Sequence, residues 1–88
     1  MVHMGTLLED ARLAVSLPDP DACMAIRRRA HVSRERVAAE LGVQSLAVAR
    51  WERGTRSPRG GLRVRYARLL ELLDEVATTA EQSRVEAS

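Results

Sequence analysis

Fourteen basic side chains stand in this 88-residue sequence, and all of them are arginine. A guanidinium is always charged and presents a planar fork of donors, so it can grip a phosphate or the edge of a guanine through two bonds at once. The arginines are not spread evenly. Residues 1–26 hold one Arg against four acids, residues 27–68 hold twelve against three, and residues 69–88 hold one against five. The net charge of +2 therefore conceals segments of −3, +9 and −4. A basic middle between acidic ends points to a polyanionic partner. Catalytic chemistry does not stand out in the same way. No pair of acid and base groups, no nucleophile beside a base and no phosphate-cradling loop is evident, so the chain does not read as an enzyme. Two His and one Cys make no credible metal cluster, and no cofactor is expected.

These arginines need a scaffold, and composition limits what it can be. Eighty-eight residues make one domain with a modest core. Apolar residues are 45% of the chain, with no Phe, one Trp and one Tyr. An aliphatic, Ala-rich core of this kind suits closely packed helices better than a sheet. Cys23 is alone and can form no intramolecular disulfide, so a reducing cytoplasm is the expected home. No apolar run approaches the roughly 18 residues of a membrane span, and the N-terminus lacks the order of a secretory signal. No membrane partner is expected.

Along the chain, "TLLEDARLAVSL" (Thr6 to Leu17) predicts a short helix with Leu7, Leu8, Ala11, Ala14 and Val15 near one side. "PDPD" breaks it, and Asp19 with Pro20 starts the next as N-cap and first residue. That helix should run to about Ala30, burying Cys23, Ile26 and Ala30. Ser33 caps a third helix, Arg34 to Leu41, with Val37, Ala38 and Leu41 inward. Gly42 ends it, because glycine enters the left-handed region at little cost. A fourth helix follows at once, from about Ser45 to Arg53, turning Ala47, Val48 and Trp51 inward. "GTRSPRGG" (Gly54 to Gly61) is a loop. The last helix starts near Leu62, and Leu62, Tyr66, Leu69, Leu73 and Val76 form its apolar stripe. The expected organisation is an N-terminal extension at 1–18, a domain at 19–77 and a polar tail at 78–88 that frays.

Helices of about eight residues are marginal alone, so 34–41 and 45–53 must exist for the shape they make together. Two short helices pinched at one glycine fit a helix-turn-helix, in which the first braces against a DNA backbone and the second enters the major groove. Short helices suffice, since that groove is only about 12 Å wide. Arg50 lies on the outward face of 45–53, placed to read a guanine. Arg34, Arg53, Arg56 and Arg59 bracket the pair and read as phosphate contacts.

The stretches "IRRRAHVSRERVAAELGVQSLAVARWERG" and "SPRGGLRVRYARLLELL" resemble the lambda-repressor/Cro-like (XRE-type) helix-turn-helix family. The carriers are A-x-x-L-G-V followed at the right distance by W-E-x-G, within a resemblance covering roughly Cys23 to Leu73. It implies an all-α fold of four to five short helices, to which the N-terminal helical segment is an addition. It also implies that Gln44, Ser45, Leu46 and Arg50 face the DNA bases, and that Arg27 pairs with Glu52 as a structural ion pair. Three positions depart from the family pattern. Arg34 stands where a phosphate-binding Gln is usual, Gln44 replaces a Ser or Thr cap, and His31 replaces a turn Gly.

The expectation is a sequence-specific regulator of double-stranded DNA, a small bacterial or phage repressor in a cytoplasmic, nucleoid-associated setting. An excisionase or architectural factor would use the same contacts. An antitoxin or protein-interaction module would instead use the acidic, Leu-rich end from Leu69 to Val76. One domain offers little contact area, so a homodimer through the last helix is expected, with Leu69, Leu72, Leu73 and Val76 at its seam.

Overall fold

A computed structural model of the chain describes residues 4–87. Five helices follow one another: α1 (Met4–Ser16), α2 (Pro20–Arg29), α3 (Arg34–Leu41), α4 (Ser45–Arg53) and α5 (Gly60–Ala87). Among the described residues there is no strand. None of the helices there is long and apolar enough to cross a membrane.

Local chemistry sets the boundaries. Asp19 Oδ1 accepts from the Ala22 N–H at 2.9 Å, and Pro20 fills the first helical position, where a missing N–H costs nothing. Ser33 Oγ accepts from the Arg36 N–H at 3.1 Å to open α3. Gly42, at φ 71°, closes it, and the next N–H, from Val43, reaches back to the Ala38 carbonyl at 3.0 Å. His31 takes φ 58° in the α2–α3 turn, a left-handed conformation that His tolerates better than most residues.

The spine is α5. Helices α1, α2 and α3 pack on it, while α4 packs on α2 and α3. The core gathers Cys23, Val37, Ala38, Leu41, Val48, Trp51, Tyr66 and Leu70. Trp51 and Tyr66 meet with ring centroids 4.8 Å apart and planes tilted by 45°, a favourable aromatic arrangement. The Tyr66 hydroxyl is buried beside the Cys23 thiol without a hydrogen bond of acceptable geometry. Cys23 itself donates to the Pro18 carbonyl at 3.3 Å. Burial pushes both the thiol and the phenol above their ordinary pKa values.

The structure adds to three of the expectations from sequence. First, the apolar residues grouped near one side of α1 are not the ones it buries. Leu13 is its buried residue, while Leu7, Leu8 and Val15 are exposed, Val15 to 84%. The docking face is Glu9, Arg12, Leu13 and Ser16 at helical spacing, because α5 offers Arg68 and Glu71 at that level. Glu9 accepts from Arg12 and Arg68, and Arg12 reaches Glu71 at 3.1 Å. These guanidiniums hold the Glu9 carboxyl down at about 2, with Arg12 the larger cause. Second, the inner line of α5 is Tyr66, Ala67, Leu70 and Ala77. Leu62, Leu69 and Leu73 are half-buried beside it, and Val76 is exposed. A helix covered by three others buries more than one stripe, and the small Ala67 and Ala77 let neighbours approach. Third, the segment after Thr78 stays helical to Ala87. Arg29 of α2 holds it, donating to Asp74 and Glu81, both at 2.7 Å, and to Thr78. Residues 1–3 and Ser88, at the ends of the expected extension and tail, lie outside the described residues.

Candidate nucleic-acid interface

Only residues 42–44 separate α3 from α4, and α4 turns its sides to opposite environments. Val48, Trp51 and Glu52 are buried, whereas Gln44, Leu46 and Arg50 are exposed and Ser45 is half-buried. Nine residues at about 1.5 Å of rise make a rod comparable in length to the width of a major groove. Gln44 occupies the N-cap position, but its side chain makes no capping hydrogen bond. Ser45 is the first helical residue and so does not cap. The α4 end is closed by backbone. Gly54 at φ 77° turns the chain, and the N–H of Thr55 returns to the Arg50 carbonyl at 3.1 Å.

The loop that follows is tied to α4 at its start, where the Thr55 hydroxyl also donates to the Arg50 carbonyl at 3.3 Å, and is anchored further on by Pro58. Pro58 is buried, while Arg56 and Arg59 on either side of it are exposed, as is Arg53 at the end of α4. Four exposed guanidiniums, including that of Arg50, thus lie within ten positions of one another in the chain. Nothing acidic in that stretch is exposed, since its one carboxylate, Glu52, is buried. The surface suits an anion.

Beneath it lies a buried charge cluster. Arg27 donates to both Glu52 oxygens, from Nε to Oε2 and from Nη2 to Oε1 at 2.9 Å, and its Nη1 donates to the Val32 carbonyl at 3.0 Å. The Glu52 side chain is 1% exposed and that of Arg27 9%. Arg34 adds a third bond, from Nε to Glu52 Oε1 at 3.0 Å. Burial alone would raise the Glu52 carboxyl, but Arg27 and Arg34 outweigh it and leave its pKa below the ordinary value. Glu52 in turn raises that of Arg27. One carboxylate at the end of α4 therefore ties α2, the α2–α3 turn and the start of α3 together.

The sequence reading placed Arg34, Arg53, Arg56 and Arg59 in one group, and the structure separates them. Arg34 is half-buried and engaged with Glu52, while the other three are exposed. Reading charge alone also missed that other arginines of the basic segment serve the fold. Arg63 donates to the Ala14 carbonyl at 2.6 Å, Arg29 holds α5, and Arg68 holds α1. No sequence signal marks these long-range partners. Among the described residues, no group of three or more His, Cys, Asp or Glu is placed to hold a metal. No family model matches the chain, and no curated protein or solved structure matches it either.

Proposed function

We propose that this chain is a sequence-specific DNA-binding regulator of the helix-turn-helix kind, related to the lambda-repressor/Cro-like family, that lays α4 in the major groove. The observation that carries the reading is the two-sidedness of α4. Its inner side is fixed by Val48, Trp51 and the Glu52 cluster, and its outer side exposes Gln44, Leu46 and Arg50 beside Arg53, Arg56 and Arg59. A rigid short helix with a mixed polar face, flanked by cations, is what reading base edges and gripping phosphates together requires. In this reading Arg50 contacts guanine O6 and N7, Gln44 and Ser45 lie near base edges, and Leu46 meets a thymine methyl. Arg34, Arg53, Arg56 and Arg59 hold the backbone. Two copies joined through α5 would read half-sites about one helical turn apart. Selection of bound fragments from a random duplex pool tests the proposal. It should return one short motif repeated with two-fold symmetry, and recovery of unenriched DNA would count against it.

A second reading, a protein-interaction module such as an antitoxin, is favoured by exposed apolar residues away from α4. These are Leu7, Leu8 and Val15 on α1, and Leu72, Val76 and Val85 on α5. The same selection separates the two, since a module of that kind needs no DNA motif.

A further inference from the structure

We infer that Glu52 is a positioning residue for DNA binding, aiming the guanidinium of Arg34 at a backbone phosphate; this rests on the DNA-binding reading above. Three charged groups meet at Glu52 and do not balance. Arg27 is buried and has Nε, Nη1 and Nη2 all engaged by protein acceptors. One carboxylate is thus already matched by one guanidinium, and Arg34 brings a surplus positive charge to the same oxygens. The cluster of two guanidiniums and one carboxylate keeps a net positive charge, and Arg34, the more exposed of its two cations, is the one an anion from outside can reach.

The geometry leaves Arg34 free to take one. Its Nε is bound to Glu52 Oε1, and neither Nη carries an intramolecular bond among the described residues. Its side chain is 40% exposed, against 1% for Glu52. A guanidinium is planar, so fixing the Nε edge fixes the direction of the Nη end, the edge that meets two phosphate oxygens at once. The place is also right. Glu52 belongs to the last turn of α4, which carries Arg50 and Arg53, so Arg34 is drawn from the start of α3 to the flank of the reading helix. A free side chain of this length would lose rotamer freedom on binding, and the Glu52 bond removes much of that loss beforehand.

Two substitutions test the inference against a selected duplex, with the wild type as the check on DNA binding itself. Arg34→Gln should weaken binding about tenfold or more for all sequences alike, and should make the slope of log affinity against log salt shallower by about two, one for each copy on the site. Arg34→Lys keeps the charge, but a single ammonium cannot hold Glu52 and clamp a phosphate in the same way. Its slope should stay near wild type while its affinity still falls severalfold. A wild-type slope in Arg34→Gln, or full affinity in Arg34→Lys, would overturn the inference even with the wild type binding well. Side-chain NMR of the wild-type chain needs no variant to fold. The Arg34 Nε–H should be protected in free and bound protein, and its Nη signals should shift and sharpen only with duplex, not with inorganic phosphate. Nη signals indifferent to duplex would contradict the assignment. A wild type that binds no duplex at low salt would instead sink the underlying reading, and the inference with it.

Discussion

Arg27 and Glu52, 25 positions apart in the chain, meet in two parallel hydrogen bonds with both side chains almost wholly out of solvent. Breaking such a pair leaves one buried charge uncompensated, so Arg27→Met or Glu52→Gln should cost about 3–5 kcal/mol. The pH dependence carries a sign. Glu52 has a folded pKa below its ordinary value, so it stabilises the fold above the ordinary carboxylate range and loses that effect as pH falls through the folded value. The gap between wild type and Glu52→Gln, measured by urea unfolding, should be widest near neutral pH and narrow on acidification. A gap independent of pH would mean that Glu52 is not held as a carboxylate.

A contrast on α1 checks its docking face. Leu13 is 1% exposed, and Leu13→Ala should cost about 2–5 kcal/mol. Leu8→Ser and Val15→Ser, on the exposed side, should stay within about 0.5 kcal/mol of wild type. Thermal unfolding of the three variants decides it, and the reverse order would place the apolar side of α1 inward.

The caps at Asp19, Ser33 and Gly42 were legible in the sequence because each is decided within four or five residues of itself. The inward line of α4 was legible for a related reason: Val48 and Trp51 leave a nine-residue helix only one way to face a core. The docking face of α1 was not. Its apolar residues outnumber the one it buries, and the choice was made by Arg68 and Glu71, some 60 positions away. The link between α2 and the end of α5 is of the same long-range kind, since Arg29 meets Thr78 and Glu81 about 50 positions away. At the candidate interface, Arg50 and the loop arginines could be read from position and charge, and the Arg27–Glu52 pair from a resemblance. The third bond, from Arg34, depends on the crossing of α3 and α4, and no spacing announces it.

Readers and anchors should separate by mutation. Arg50 stands on the exposed side of α4 and Arg59 in the loop beyond it. Arg50→Ala should cost about 1–3 kcal/mol in binding and relax preference at one base position, whereas Arg59→Ala should weaken all sequences alike. Competition binding with single-base variants of the selected site gives both quantities. Unchanged preference in Arg50→Ala would remove it from the base-reading group.

The proposed seam between copies is also open to test. Leu72 and Val76 are 48% and 61% exposed on α5, and α1 leaves them uncovered. Light scattering after gel filtration should find two copies on each DNA site, and Leu72→Glu should reduce this to one with weaker binding. One copy per site in both proteins would remove α5 as the seam.

The central claim, that the exposed arginines around α4 bind DNA, is tested most directly by the salt dependence of wild-type binding to a duplex. Four phosphate-gripping arginines per copy, in two copies, neutralise about six to ten phosphates, and each neutralised phosphate contributes about −0.9 to the slope of log affinity against log salt. The account predicts a slope of about −5 to −9. A slope near zero, or no binding even in low salt, would contradict it.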